Sequence, residues 1–110
     1  MIHRHDKCIG ITLWRWRRKC LELWFCPPGA IILPHIHEHI DSVITMLAGG
    51  MWGRIGDRSG YVGWRDVLRR FHVPRRMAHS AVINHFCLFA NWESWDTDDV
   101  TSASEDFVIL

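Results

Sequence analysis

The 110-residue chain predicts an all-β fold, a sandwich or a barrel. Three observations lead there. Short runs rich in branched and aromatic residues recur at near-regular spacing. Gly and Pro turns separate them. No stretch carries a capped 3.6-residue period, and no repeat of solenoid length is visible.

In chain order, residues 1–10 are expected to be a flexible N-terminal segment. They hold a small His3, His5 and Asp6 cluster, for which a loose terminus is a poor frame. Ile11 to Trp16 alternates weakly and is followed by the charged turn Arg17-Arg18-Lys19. Cys20 to Cys26 is a compact strand with Leu21, Leu23 and Phe25 on one face. Pro27-Pro28-Gly29 ends it, because proline fixes φ and glycine accepts a positive one. Ala30 to Leu33 leads into a histidine-rich strand that continues through Ser42 to Ala48, and Gly49-Gly50 signals a hairpin. Further strands are expected at Met51–Ile55, Tyr61–Trp64 and Val67–Val73, the last stopped by Pro74. Arg75 to Ala78 is a connection, and His79 to Trp92 supplies one or two strands. Residues 11–95 thus form the domain. Residues 96–110 are an acidic, polar tail expected to be mobile, with Phe107 to Leu110 able to fold back as a terminal strand.

Composition is that of one ordinary globular domain, 48% hydrophobic and 23% charged. A formal charge of +1 argues for neither a nucleic-acid nor a membrane partner. There is no secretory leader and no apolar run long enough to span a bilayer. A cytoplasmic protein is therefore expected, with Cys8, Cys20, Cys26 and Cys87 as reduced thiols.

The stretch from Pro34 to Asp41 carries the chemistry. Alternate side chains of a strand share a face, roughly 7 Å apart, so His35, His37, His39 and Asp41 project together and Ile36, Glu38 and Ile40 oppose them. Imidazoles and a carboxylate make a poor apolar surface but suit a divalent transition metal. The plain alternative is a solvent-facing, histidine-rich edge strand. One strand cannot surround an ion, so a partner is needed from His72, His79 and His85. His79 is best placed, where a turn feeds a new strand; His85 shares its parity and can brace the site. His72 reads as an exposed or satisfied histidine.

These residues resemble the cupin superfamily, whose first motif runs glycine, five residues, His-x-His, three or four residues, glutamate, six residues and glycine. Here Gly29, His35, His37 and Asp41 fall at those places, with Asp41 for glutamate. Ala48 holds the closing glycine place, and Gly49 comes one residue late. In the second motif Pro74 and His79 match, while Leu68 and Arg76 occupy the two glycine places and Ile83 the asparagine place. The resemblance covers about Cys20 to Asn91. It implies a small antiparallel jelly-roll barrel with His35, His37, Asp41 and His79 as metal ligands at its mouth. Asp41 is shorter than glutamate, and can instead hydrogen-bond a histidine ring. His39 can replace it as a ligand, or a bulge can turn it outward.

With iron, manganese, nickel or zinc, such a site supports oxygenase-like or isomerase-like chemistry on a small organic molecule inside the barrel. Arg75 and Arg76, just before His79, are candidates to hold an anionic substrate, and Trp24, Met46 and Trp52 are candidate pocket walls. No residue is singled out for proton transfer. The competing readings are a non-catalytic binding module and a structural oligomeric jelly roll. Cupins commonly form homodimers, and Trp14, Trp16, Trp92 and Trp95 offer apolar surface for such a contact.

Overall fold

The computed structural model describes residues 2–96 and 108–110, and among these it contains eleven strands. They are β1 (Ile2–His5), β2 (Cys8–Trp16), β3 (Lys19–Cys26), β4 (Ile31–Ile36), β5 (Ile40–Gly49), β6 (Met51–Ile55), β7 (Arg58–Val62), β8 (Arg70–Val73), β9 (His79–Val82), β10 (Cys87–Trp95) and β11 (Val108–Ile109). One sheet has the order β1-β2-β3-β10-β5-β8, the other β11-β4-β9-β6-β7. Every pairing is antiparallel. The chain passes from one sheet to the other after β3, β4, β5, β7, β8, β9 and β10, which is a jelly roll. Among the described residues the two ladders remain separate, so the expected barrel is two facing sheets without a closed hydrogen-bonded cylinder. The only helical element described is a short 3-10 turn at Trp64–Asp66, and no helix is long and apolar enough to cross a membrane.

Alternation sets what faces the core. Along β10, Cys87, Phe89, Asn91, Glu93 and Trp95 are buried, and the residues between them are more exposed. On β3 the buried set is Cys20, Glu22, Trp24 and Cys26. Leu21, Leu23 and Phe25, the apolar set in the sequence, therefore line the outside of the sheet. The core gathers Trp24, Met46, Ile83, Phe89 and several cysteines between the sheets, with a smaller cluster of Cys20, Ile40 and Trp95 at one end. All four cysteines are free thiols.

One expectation about the chain's ends is revised. Ile2–His5, expected to be loose, pairs with β2 as an edge strand, held inward where His3 reaches Glu22 and Thr12. The segment 97–107, read as a mobile tail, lies outside the described residues. Beyond it, Val108 and Ile109 fold back onto Ile36 and His35 of β4.

The glycine places of the sequence motifs have a backbone explanation. Gly29 and Gly49 have φ of 82° and 76°, and a Cβ at Gly49 would strike the Phe86 carbonyl. β5 carries one extra residue at Leu47, where its register against β10 shifts, and this accounts for the glycine standing one residue late. Leu68 and Arg76 keep the left-handed conformation as well, with φ of 70° and 66°. The fold thus retains the turns and accepts side chains where glycine would be unstrained.

Candidate metal centre

Three histidines converge between the sheets. His35 lies in β4 directly opposite His79 in β9. His37 follows β4, and its carbonyl accepts a hydrogen bond from the Arg76 amide at 2.7 Å. The Pro74–Arg76 turn therefore places His37 and leads into His79. Pro34, which has no N–H to donate, sits where the β4–β9 register shifts and aims the next residues inward.

The ligating nitrogens of His35, His37 and His79 all lie within 4.8 Å of one another, with Nε2 of His35 and of His37 3.2 Å apart. The ring centroids of His35 and His79 are 4.0 Å apart, and those of His37 and His79 5.2 Å. Two nitrogens about 2.1 Å from one ion, at tetrahedral or right angles, are roughly 3.0–3.4 Å apart. The 3.2 Å spacing suits shared coordination as well as it suits a ring-to-ring hydrogen bond.

Hydrogen bonding on the outer nitrogens selects the tautomer. Nδ1–H of His35 donates to the Leu33 carbonyl at 2.7 Å, and Nδ1 of His79 lies 3.3 Å from the Met77 carbonyl. A carbonyl only accepts, so each ring carries its proton on Nδ1 and turns the Nε2 lone pair inward, as metal-ligating histidines do. Burial, reinforced by the neighbouring His79, pushes His35 down to about 3. Burial and His37 push His79 down to about 4. The rings are neutral bases at neutral pH, the form that binds a divalent cation. The donor set fits such an ion.

The other sequence candidates lie elsewhere. The expected strand from Pro34 to Ala48 is broken at residues 37–39, where the chain leaves one sheet for the other. Past the break, parity no longer links Asp41 and His39 to His35. Burial would raise the Asp41 pKa, but Arg75 holds it below the usual range. The Arg75 amide donates at 2.9 Å and its guanidinium at 2.6 Å. Arg75 also reaches Asp96 at 3.3 Å, and Asp96 meets His39 at 3.1 Å. Asp41, Arg75, Asp96 and His39 thus form a surface ion network beside the triad. His72 is exposed, 3.8 Å from Asp41. His85 is exposed on the turn between β9 and β10, and Arg76 is exposed. Trp52 is half exposed, and Trp95, expected near the surface, is buried.

The triad opens on a cavity of about 310 Å³ walled by Trp24, Ile32, Ile44 and Phe89, with Arg4, His5, Cys8 and Asn91 as its other groups. His5 was set aside with the terminus, yet its ring lies 5.9 Å from that of His35. Its signal was the same two-residue histidine spacing. Met46 is buried in the core and is not a wall of the cavity.

Two facing antiparallel sheets with a histidine-lined cavity between them define a cupin, or double-stranded β-helix, fold. Solved structures agree. The chain is similar to an RmlC-like cupin from Shewanella frigidimarina, with a TM-score of 0.76 and 17% identity over 90% of this chain and 86% of that one. KdgF from a Halomonas species gives 0.75 and 17% over 90% and 89%. CapF, solved with the inhibitor 3-isopropenyl-tropolone, gives 0.76 and 16%, covering all of this chain (100%) and 33% of CapF. No family model matches the chain, and no curated protein matches it.

Proposed function

We propose that the chain is a metal-dependent cupin enzyme, oxygenase-like or isomerase-like, acting on a small organic molecule in its cavity. The observation that carries this reading is the convergence of three imidazoles on a cavity of about 310 Å³, the size of a small-ligand site. His35, His37 and His79 would hold iron, manganese, nickel or zinc. With Asp41 tied to Arg75, three protein ligands leave coordination positions open to substrate or water. When bound, the ion would supply Lewis acidity or redox chemistry.

The chain's own residues do the rest. Trp24, Ile32, Ile44 and Phe89 exclude water and pack against the apolar part of the substrate. Arg4 brings a cation to the cavity, and Asn91 brings an amide. His5, whose pKa is lowered by burial against the opposing pull of Asp6, is neutral at pH 7 and able to accept a proton. CapF, which shares the fold, is known with a tropolone inhibitor, an example of a small oxygenated ring as ligand. A non-catalytic binding module is the second reading, favoured by a lining without carboxylate, lysine or tyrosine.

A homodimer is proposed through the outer face of the six-stranded sheet. There Trp14 stacks on Trp92 at 5.3 Å, and Ile9, Ile11, Trp16 and Phe25 are exposed beside them. The four free thiols suit a reducing, cytoplasmic setting.

Elemental analysis of the purified protein, with melting curves after adding Fe, Mn, Ni or Zn, tests the metal reading. At least one ion per chain and a raised melting temperature are expected. A protein that stays metal-free and ignores all four ions sinks it. Turnover lost in His79→Ala with the fold intact favours the enzyme; altered ligand affinity without any turnover favours the module.

A further inference from the structure

The inner face of the six-stranded sheet holds a second set of donors that the histidine centre does not use. Cys20 and Glu22 face inward from β3, and Glu93 faces inward from β10. Their relative exposures are 1%, 0% and 0%. The thiol and the two carboxylates bring ligand atoms within 4.8 Å of one another. The register makes this unavoidable, since Glu93 lies directly opposite Cys20 and Asn91 directly opposite Glu22.

Asn91 is the independent observation. It is nine-tenths buried, on the same face of β10 as Glu93, and its Oδ1 has no hydrogen-bond donor among the described residues. Asn91 also lines the histidine cavity, so a buried acceptor without a donor stands beside Glu22. The groups around them hold the carboxylate of Glu22 from outside. Trp24 Nε1–H donates to its Oε1 at 3.1 Å, and His3 Nε2 lies 3.0 Å from its Oε2. Thr12 bonds the thiol of Cys20, Arg15 stands near that thiol from the exposed side, and Ser42 is opposite Glu93 on β5. Ligating carboxylates are held in this way by outer partners.

We propose that Cys20, Glu22 and Glu93, with Asn91 Oδ1, form a second, closed site for a divalent ion of the zinc or cobalt class. Thiolate sulfur and carboxylate oxygen are both ligand types that such an ion accepts. Such an ion would tie β3 to β10 and offset the carboxylate charge. It would also hold the Cys20 thiol as thiolate, where burial, Glu93 and Glu22 otherwise push it up to about 12.

The test uses the full chain produced in cobalt-supplemented minimal medium and then dialysed. The native protein is expected to retain two equivalents and to show thiolate-to-cobalt charge-transfer absorption in the near ultraviolet. Cys20→Ser should lose that band and one equivalent. The double variant His37→Ala, His79→Ala should lose the other equivalent and keep the band, which separates failure at this site from failure at the histidines. If circular dichroism shows Cys20→Ser unfolded, Glu93→Gln preserves thiol and volume and should still weaken this equivalent by more than about tenfold. Folded native protein without a thiolate band, or a band indifferent to both Cys20→Ser and Glu93→Gln, overturns the site.

Discussion

His35 and His37 differ from His39 and Asp41 by only a few positions, yet they belong to different parts of the molecule. The first pair lies at the end of β4 and faces His79 across the β4–β9 ladder. The second pair lies beyond the crossover and enters an ion network with Arg75 and Asp96. All four share parity in the sequence, but parity transmits facing only while the chain remains one strand. The break at residues 37–39 separates buried, metal-type donors from surface charges.

Substitutions should reproduce that division. The largest effect is expected from His37→Ala or His79→Ala, which remove a ligand. Metal affinity by titration should fall by more than the roughly 10–100-fold that loss of an outer hydrogen-bond partner costs, whereas His39→Ala should leave it unchanged within about twofold. Equal losses at His37 and His39 would erase the distinction.

Acid should act on the buried pair next. His35 and His79 titrate near 3 and 4 in the folded chain, against about 6.5 when unfolded. Between these values the unfolded chain binds more protons, so stability rises with pH there. The metal-free protein should be most stable above about pH 6.5 and lose melting temperature steadily as pH falls toward about 4. His35→Gln should flatten that slope. His39→Ala should not.

The turn that joins the two halves offers a gain. Arg76 holds φ at 66°, a conformation that costs a residue with a side chain roughly 1–2 kcal/mol. Arg76→Gly should stabilise the protein by about 1 kcal/mol after the entropy of glycine is allowed for, read by chemical denaturation, and should preserve metal binding. The smallest effect is expected at Asp41→Asn. Its pairing with Arg75 is partly exposed, so stability should fall by no more than about 1 kcal/mol. Metal affinity should stay within a few-fold, because Asp41 faces Arg75 and not the triad.

Much of this was legible in the chain and some was not. His35, His37 and His79 were readable because their spacing and the proline before the last turn are local. The all-β sandwich or barrel followed from short strands and turn residues, and the jelly roll from the resemblance of the motifs. The crossover after His37 left no local mark, because His39 continues the alternation without a Gly or Pro. The facing of β3 misled for a different reason. Leu21, Leu23 and Phe25 look like a core face, yet Glu22 is fully buried with His3 and Trp24 as partners, a long-range arrangement that composition cannot show. The degenerate second motif hid its turn geometry, since Leu68 and Arg76 hold glycine-like φ without being glycine. His3 and His5 were discounted because terminal position weighed more than their spacing. Pairing of β1 with β2 brings both inward.

The central claim is that one ion is bound by His35, His37 and His79 alone. Crystals of the full chain grown with Fe, Mn, Ni or Zn, with anomalous diffraction recorded at the metal edge, test it most directly. The expected result is a peak about 2.0–2.2 Å from one nitrogen of each of the three histidines, with Asp41 still on Arg75. A peak bound by Asp41 or His39, or no peak between the three rings in metal-soaked crystals, would contradict it.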